Sequence, residues 1–100
     1  MGDGLLLFED FSDKVGQAFV INFADAQAMS LTLTEAKPLK ALPLPPNGRP
    51  PFSLIFTGEA ERLLAQHLYW LEHEAMGQVE LFLVPVGKSP QGFLYQALFN

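Results

Sequence analysis

The sequence predicts an all-β domain, a small antiparallel barrel or sandwich of about six strands with a short helix near the N-terminus. Three observations lead there. Met29, Leu31 and Leu33 alternate with Ser30, Thr32 and Thr34, the period-2 pattern of a strand with one wet face. Further short runs rich in aromatic and branched residues end on glycines, as strands closed by turns do. Six of the eight prolines crowd into residues 37–51, and proline withholds the amide that a sheet ladder needs.

Taken in order, FEDFSDK at 8–14 reads as a short helical turn ended by Gly16, with Phe8 and Phe11 on one face. QAFVINF at 17–23 alternates through Phe19, Ile21 and Phe23 and reads as a strand. DAQA turns it into MSLTLTEA at 29–36, so residues 16–36 form a hairpin. Residues 37–51 are a long loop whose P-x-x-P at Pro43 to Pro46 is a weak polyproline signal. FSLIFTG at 52–58, QVELFLVPVG at 78–87 and FLYQALF at 93–99 complete the plainer strands. Residues 81–86 are apolar on both faces. In an antiparallel protein that calls for the core on one side and a loop or second subunit on the other. Pro85 marks an edge or a bulge.

One hundred residues make a single domain, 1–100. An apolar fraction of 49% with nine Phe is too high for a disordered chain. The net charge is −5 and the six cations are scattered. This speaks against nucleic acid and anionic membrane surfaces, which need clustered cations. The chain has no Cys, which removes thiolate chemistry and is compatible with a reducing, cytoplasmic setting. MGDGLLLFEDF lacks a basic leader region and has Leu6 where a myristoylation motif needs Ser or Thr. A soluble, unprocessed chain is expected.

HLYWLEHEAMG at 67–77 supports two readings. Leu64, Leu68, Leu71 and Ala75 follow one helical stripe, with Glu59 and Glu61 at its start and Gly77 at its end. Against this, Tyr69, Leu71 and His73 alternate with Leu68, Trp70 and Glu72, and EAMG would then be a hairpin turn. Pattern alone leans slightly to the helix. FSDKVGQAF, PFSLIFTG, LEHEAMGQVELFLVPVG and YQALFN, taken in order, resemble a family of small uncharacterised bacterial proteins, a domain of unknown function. That family carries helix breakers around its LEH segment, so the resemblance implies a strand at 67–73. This chain has Ala65, His67 and Glu74 at the breaker positions, which leaves a helical turn at 59–66 open. The resemblance implies a compact β fold and no activity.

Both histidines lie in this stretch. His73-Glu74 begins like H-E-x-x-H, but position 77 is glycine, so the zinc motif is absent. On a helix His67 and His73 diverge, and on a strand they sit about 20 Å apart, so neither arrangement serves one metal ion. His73 as a general base would need a distant hydroxyl such as Ser53 or Ser89, and no G-x-S-x-G surrounds either. The plainer expectation for His73 is an imidazole bonded to turn backbone. Glu72 and Glu80 read as solvent-facing or cross-strand residues. Tyr69 and Trp70 must face opposite ways on a strand; the outward one either anchors an interface or packs under the proline loop.

No catalytic, cofactor-binding or metal residue is assigned, and the protein is expected not to be an enzyme. The expected function is a structural or protein-interaction module, with a protein partner or self-association and no nucleic acid or membrane. The resemblance prompts, as a setting, a subunit of a larger bacterial, phage-tail-like assembly. The alternative is a small β-barrel binding an apolar small molecule, since small barrels can leave a cavity. A small hydrolase using His73 and a carboxylate ranks last.

Overall fold

A computed structural model describes residues 6–40 and 50–99. A five-residue helix α1 (Phe8–Ser12) precedes six strands: β1 (Ala18–Ile21), β2 (Met29–Pro38), β3 (Phe52–Thr57), β4 (His67–His73), β5 (Gly77–Ser89) and β6 (Gly92–Phe99). All neighbours are antiparallel, and the order β1-β2-β3-β6-β5-β4 closes on itself as a barrel. The sequence therefore anticipates the fold class, and the structure selects the barrel over the sandwich.

Residues 67–73 are a strand, as the resemblance implies. The helical stripe is a coincidence of spacing: Leu71 is buried in the barrel, Leu68 faces outward and Ala75 lies in a turn. Residues 58–66 contain no helical turn and cross irregularly from β3 to β4. The strand β2 runs through Pro38, two residues into the stretch read as loop, because Pro38 stands at the end of the β2–β3 ladder opposite Phe52. The P-x-x-P at Pro43 to Pro46 lies outside the described residues.

Inward side chains alternate along each strand and fill the barrel: Phe19 and Ile21, then Met29, Leu31 and Leu33, then Phe52, Leu54 and Phe56, and across the ring Leu71, Val79, Leu81, Leu83, Tyr95 and Ala97. Two side chains from outside the strands close the ends. Phe11 of α1 is fully buried, with its ring about 6 Å from those of Phe19, Phe52 and Phe99. An Asp10 carboxylate oxygen accepts the Leu7 amide at 2.8 Å and steadies this short helix. At the opposite end Leu64 of the crossover is buried, and its amide donates to the Tyr95 hydroxyl at 2.9 Å.

Arg62 ties the crossover down. It donates to the carbonyls of Gln27 and Ala28 at 2.9 and 3.1 Å and pairs with Glu59. Register shifts occur between Leu33 and Glu35 in β2 and between Pro85 and Gly87 in β5. Pro85 thus sits at a bulge, one of the two roles its chemistry allows.

Candidate functional site

His73 ends β4 at the helix end of the barrel, and the hairpin turn 74–76 follows it. Gly77 closes that turn with φ of +72°, a left-handed conformation that favours glycine. The ring of His73 is buried, 4.6 Å from the centroid of Phe19. Its Nδ1 accepts the amides of Ala75 and Met76 at 3.0 and 3.2 Å. With Nδ1 accepting, Nε2 carries the proton and donates to Gln17 Oε1 at 2.6 Å. Both ring nitrogens are engaged, and the imidazole bonds turn backbone as expected. A general base needs a free lone pair facing substrate, and the one lone pair here is held by two amides.

A surface cleft of about 590 Å³ lies beside His73, lined also by Asp13, Lys14, Gln17, Ala18, Glu74 and Ala75. None of these is a hydroxyl or thiol nucleophile. Asp13 and Lys14 pair at 2.7 Å, and the hydrogen bond from Lys14 holds the Asp13 carboxyl below its ordinary value. The serines do not approach. Ser89 pairs with Gly92 at one end of β5, while His73 pairs with Gly77 at the other. The twelve intervening steps span roughly 40 Å. Ser53 belongs to β3, on the opposite wall of the ring from β4, where its hydroxyl accepts Gln96 Nε2 at 3.0 Å.

His67 is exposed at the far end of β4, edge-on to the Tyr69 ring at 5.6 Å. It shares a strand face with His73 six residues on, which keeps the two imidazoles apart. Among the described residues no three His, Cys, Asp or Glu side chains are grouped to hold a metal ion.

The outer face of β4 and β5 is different in kind. Its cross-strand pairs are Leu68 with Phe82, Trp70 with Glu80 and Glu72 with Gln78. Leu68, Trp70 and Phe82 are 50%, 56% and 47% exposed. Val86 at the β5 bulge and Leu98 on β6 are exposed as well. The two-faced run at 81–86 thus resolves into Leu81 and Leu83 facing the core and Phe82 and Val86 facing out. No described element covers that outer side.

Trp70 is the outward member of the aromatic pair. Tyr69 turns the other way, and its hydroxyl donates to the Ala65 carbonyl at 2.7 Å; burial raises its pKa above the ordinary 10.0. Glu72 and Glu80 lie on the outer face as expected, with Glu72 accepting Asn22 Nδ2 at 2.8 Å. Sequence reasoning missed Gln17 as the partner of His73, 56 residues away; no local pattern announces it.

No helix among the described residues is long and apolar enough to cross a membrane. No curated protein and no solved structure matches the chain. One family model does, that of a domain of unknown function (DUF6916), over residues 6–99. The match runs from α1 to the last residue of β6 and so takes in the whole barrel. The chain belongs to that family.

Proposed function

We propose that this domain is a non-enzymatic protein-interaction module that docks through the outer face of β4 and β5. The observation that carries the reading is the half-exposed cluster Leu68, Trp70 and Phe82 on adjacent strands. Fully burying one such side chain is worth about 1.5–3 kcal/mol, and aromatic anchors of this kind dominate protein interfaces. The engaged nitrogens of His73 and the distance of both candidate serines speak against hydrolysis. The barrel interior, filled by strand side chains and stopped at its ends by Phe11 and Leu64, gives less support to an apolar ligand inside. The setting we propose is a larger bacterial assembly, phage-tail-like in kind, on the strength of the family resemblance. A reducing, cytoplasmic location fits a chain without cysteine.

The test is a photo-cross-linking residue placed at position 82, and separately at position 32 on β2, in cells that produce the protein. A product of discrete mass from position 82 and none from position 32 is expected. No product from position 82 sinks the reading.

A further inference from the structure

We infer that the partner is a protein segment whose apolar side chains alternate with Lys or Arg, laid along the outer face of β4 and β5. The inference rests on the interaction reading and adds the chemistry of what is bound. The face is graded. Its apolar end is Leu68 against Phe82, and its other end carries Glu80, Glu72 and, in the turn, Glu74. The one Lys or Arg of these two strands is Lys88, beyond the β5 bulge and over the Phe93 ring, so none lies among the outward positions from Leu68 to Glu72 and from Gln78 to Phe82. Glu74 and Glu80 have no ion-pair partner among the described residues, and the whole chain carries −5.

Trp70 stands at the junction, directly across from Glu80. A small groove of about 290 Å³ opens there, lined by Leu6, Trp70, Gln78, Val79 and Glu80. An aromatic ring beside a carboxylate suits the stem and head of one Lys or Arg, the ring attracting the cation and the carboxylate pairing with it. The neighbouring Leu68 and Phe82 then take an apolar side chain. A second copy of this chain fits less well. A two-fold contact through this face would bring the same carboxylates together with no cation between them.

The probe is an acetylated twelve-residue peptide of alternating Leu and Lys, with Ser–Lys and Leu–Glu peptides as controls. The reporter is the emission of Trp70, the one tryptophan of the chain. The Leu–Lys peptide is expected to shift that emission and to bind at least tenfold more tightly than either control. Glu80→Gln and Phe82→Ser are each expected to weaken it at least fivefold. Glu61→Gln, an exposed carboxylate on the crossover, should leave it unchanged. Equal binding of the Ser–Lys or the Leu–Glu peptide overturns the inference, as does indifference to Glu80→Gln.

The cross-linking experiment separates the two levels of argument. A product of twice the chain mass from position 82 keeps the interaction reading and overturns the basic partner. A product with another protein together with peptide failure does the same. No product from position 82 removes both.

Discussion

Replacing Tyr95 with Phe removes one oxygen and no carbon, so it isolates a single bond at the crossover end of the barrel. Tyr95 is fully buried and Leu64 is 7% exposed. The Leu64 amide donates to the Tyr95 hydroxyl at 2.9 Å in a buried site. Without the hydroxyl, that amide is left with no acceptor, and an orphaned buried donor costs about 1–3 kcal/mol. A domain of this size loses about 4–8 °C of melting temperature per kcal/mol. The expected fall is therefore roughly 5–20 °C. Urea unfolding followed by far-ultraviolet circular dichroism should show a lower midpoint with an unchanged slope, since the surface exposed on unfolding is the same. Amide exchange at Leu64 should be slow in the parent protein and faster in the variant. A stability change below about 0.5 kcal/mol, the range of ordinary surface substitutions, would refute the reasoning. It would mean that water already reaches the Leu64 amide and that the crossover does not stopper the barrel.

Two glycines should respond very differently to alanine. A Cβ on Gly92, at φ of +151°, would fall 1.7 Å from the Gly58 carbonyl oxygen, where backbone must move, so Gly92→Ala should prevent folding or cost more than about 4 kcal/mol in a thermal melt. Gly77, at φ of +72° with open space around it, should cost only about 1 kcal/mol in the same assay. His73→Phe keeps a ring against Phe19 but removes Nδ1, the one acceptor shared by the Ala75 and Met76 amides, and chemical denaturation should register a loss of about 1–3 kcal/mol. Acid should loosen the crossover. The hydrogen bond from Arg62 holds Glu59 below its ordinary 4.5, against a smaller opposing effect of burial. A depressed carboxyl stabilises the fold above its unfolded value, and that contribution disappears as pH falls through the folded value. Melting curves of the parent and Glu59→Gln should therefore converge below pH 4.5.

Strand identity was legible wherever one face is wet. The alternation of Met29, Leu31 and Leu33 with hydroxyl residues names β2 without ambiguity, because all three apolar side chains point into the core. It failed to decide 64–75, where four apolar residues at helical spacing serve four different purposes. Leu64 stops an end, Leu68 faces outward, Leu71 packs inside and Ala75 turns. Periodicity assumes one purpose for a whole segment. Family resemblance supplied what pattern could not. Closure of the ring, the Tyr95–Leu64 bond and the Gln17–His73 bond join residues distant in sequence, so no window along the chain contains them. Of the two bulges, Pro85 announced the one in β5 and nothing local announced the one in β2. The outer face was half legible: a run apolar on both sides announced two destinations, and only the fold shows that Phe82 lands beside Leu68 and Trp70 beside Glu80.

The order of strands around the ring has a consequence for motion. β1, β2 and β3 are consecutive in the chain, as are β4, β5 and β6, so the molecule is two successive three-stranded leaves. The leaves are bound along a broad spine from Phe52–Phe99 to Thr57–Leu94. On the opposite side the strand ladder between them has only two rungs among the described residues, Val20–Glu72 and Ile21–Leu71, flanked by the side-chain bonds Asn22–Glu72 and Gln17–His73. Such a book opens at its fore-edge. The amides of that short clasp should exchange with solvent well before those of the spine, and each leaf can assemble from nearby hairpins before the clasp fastens residues 50 positions apart.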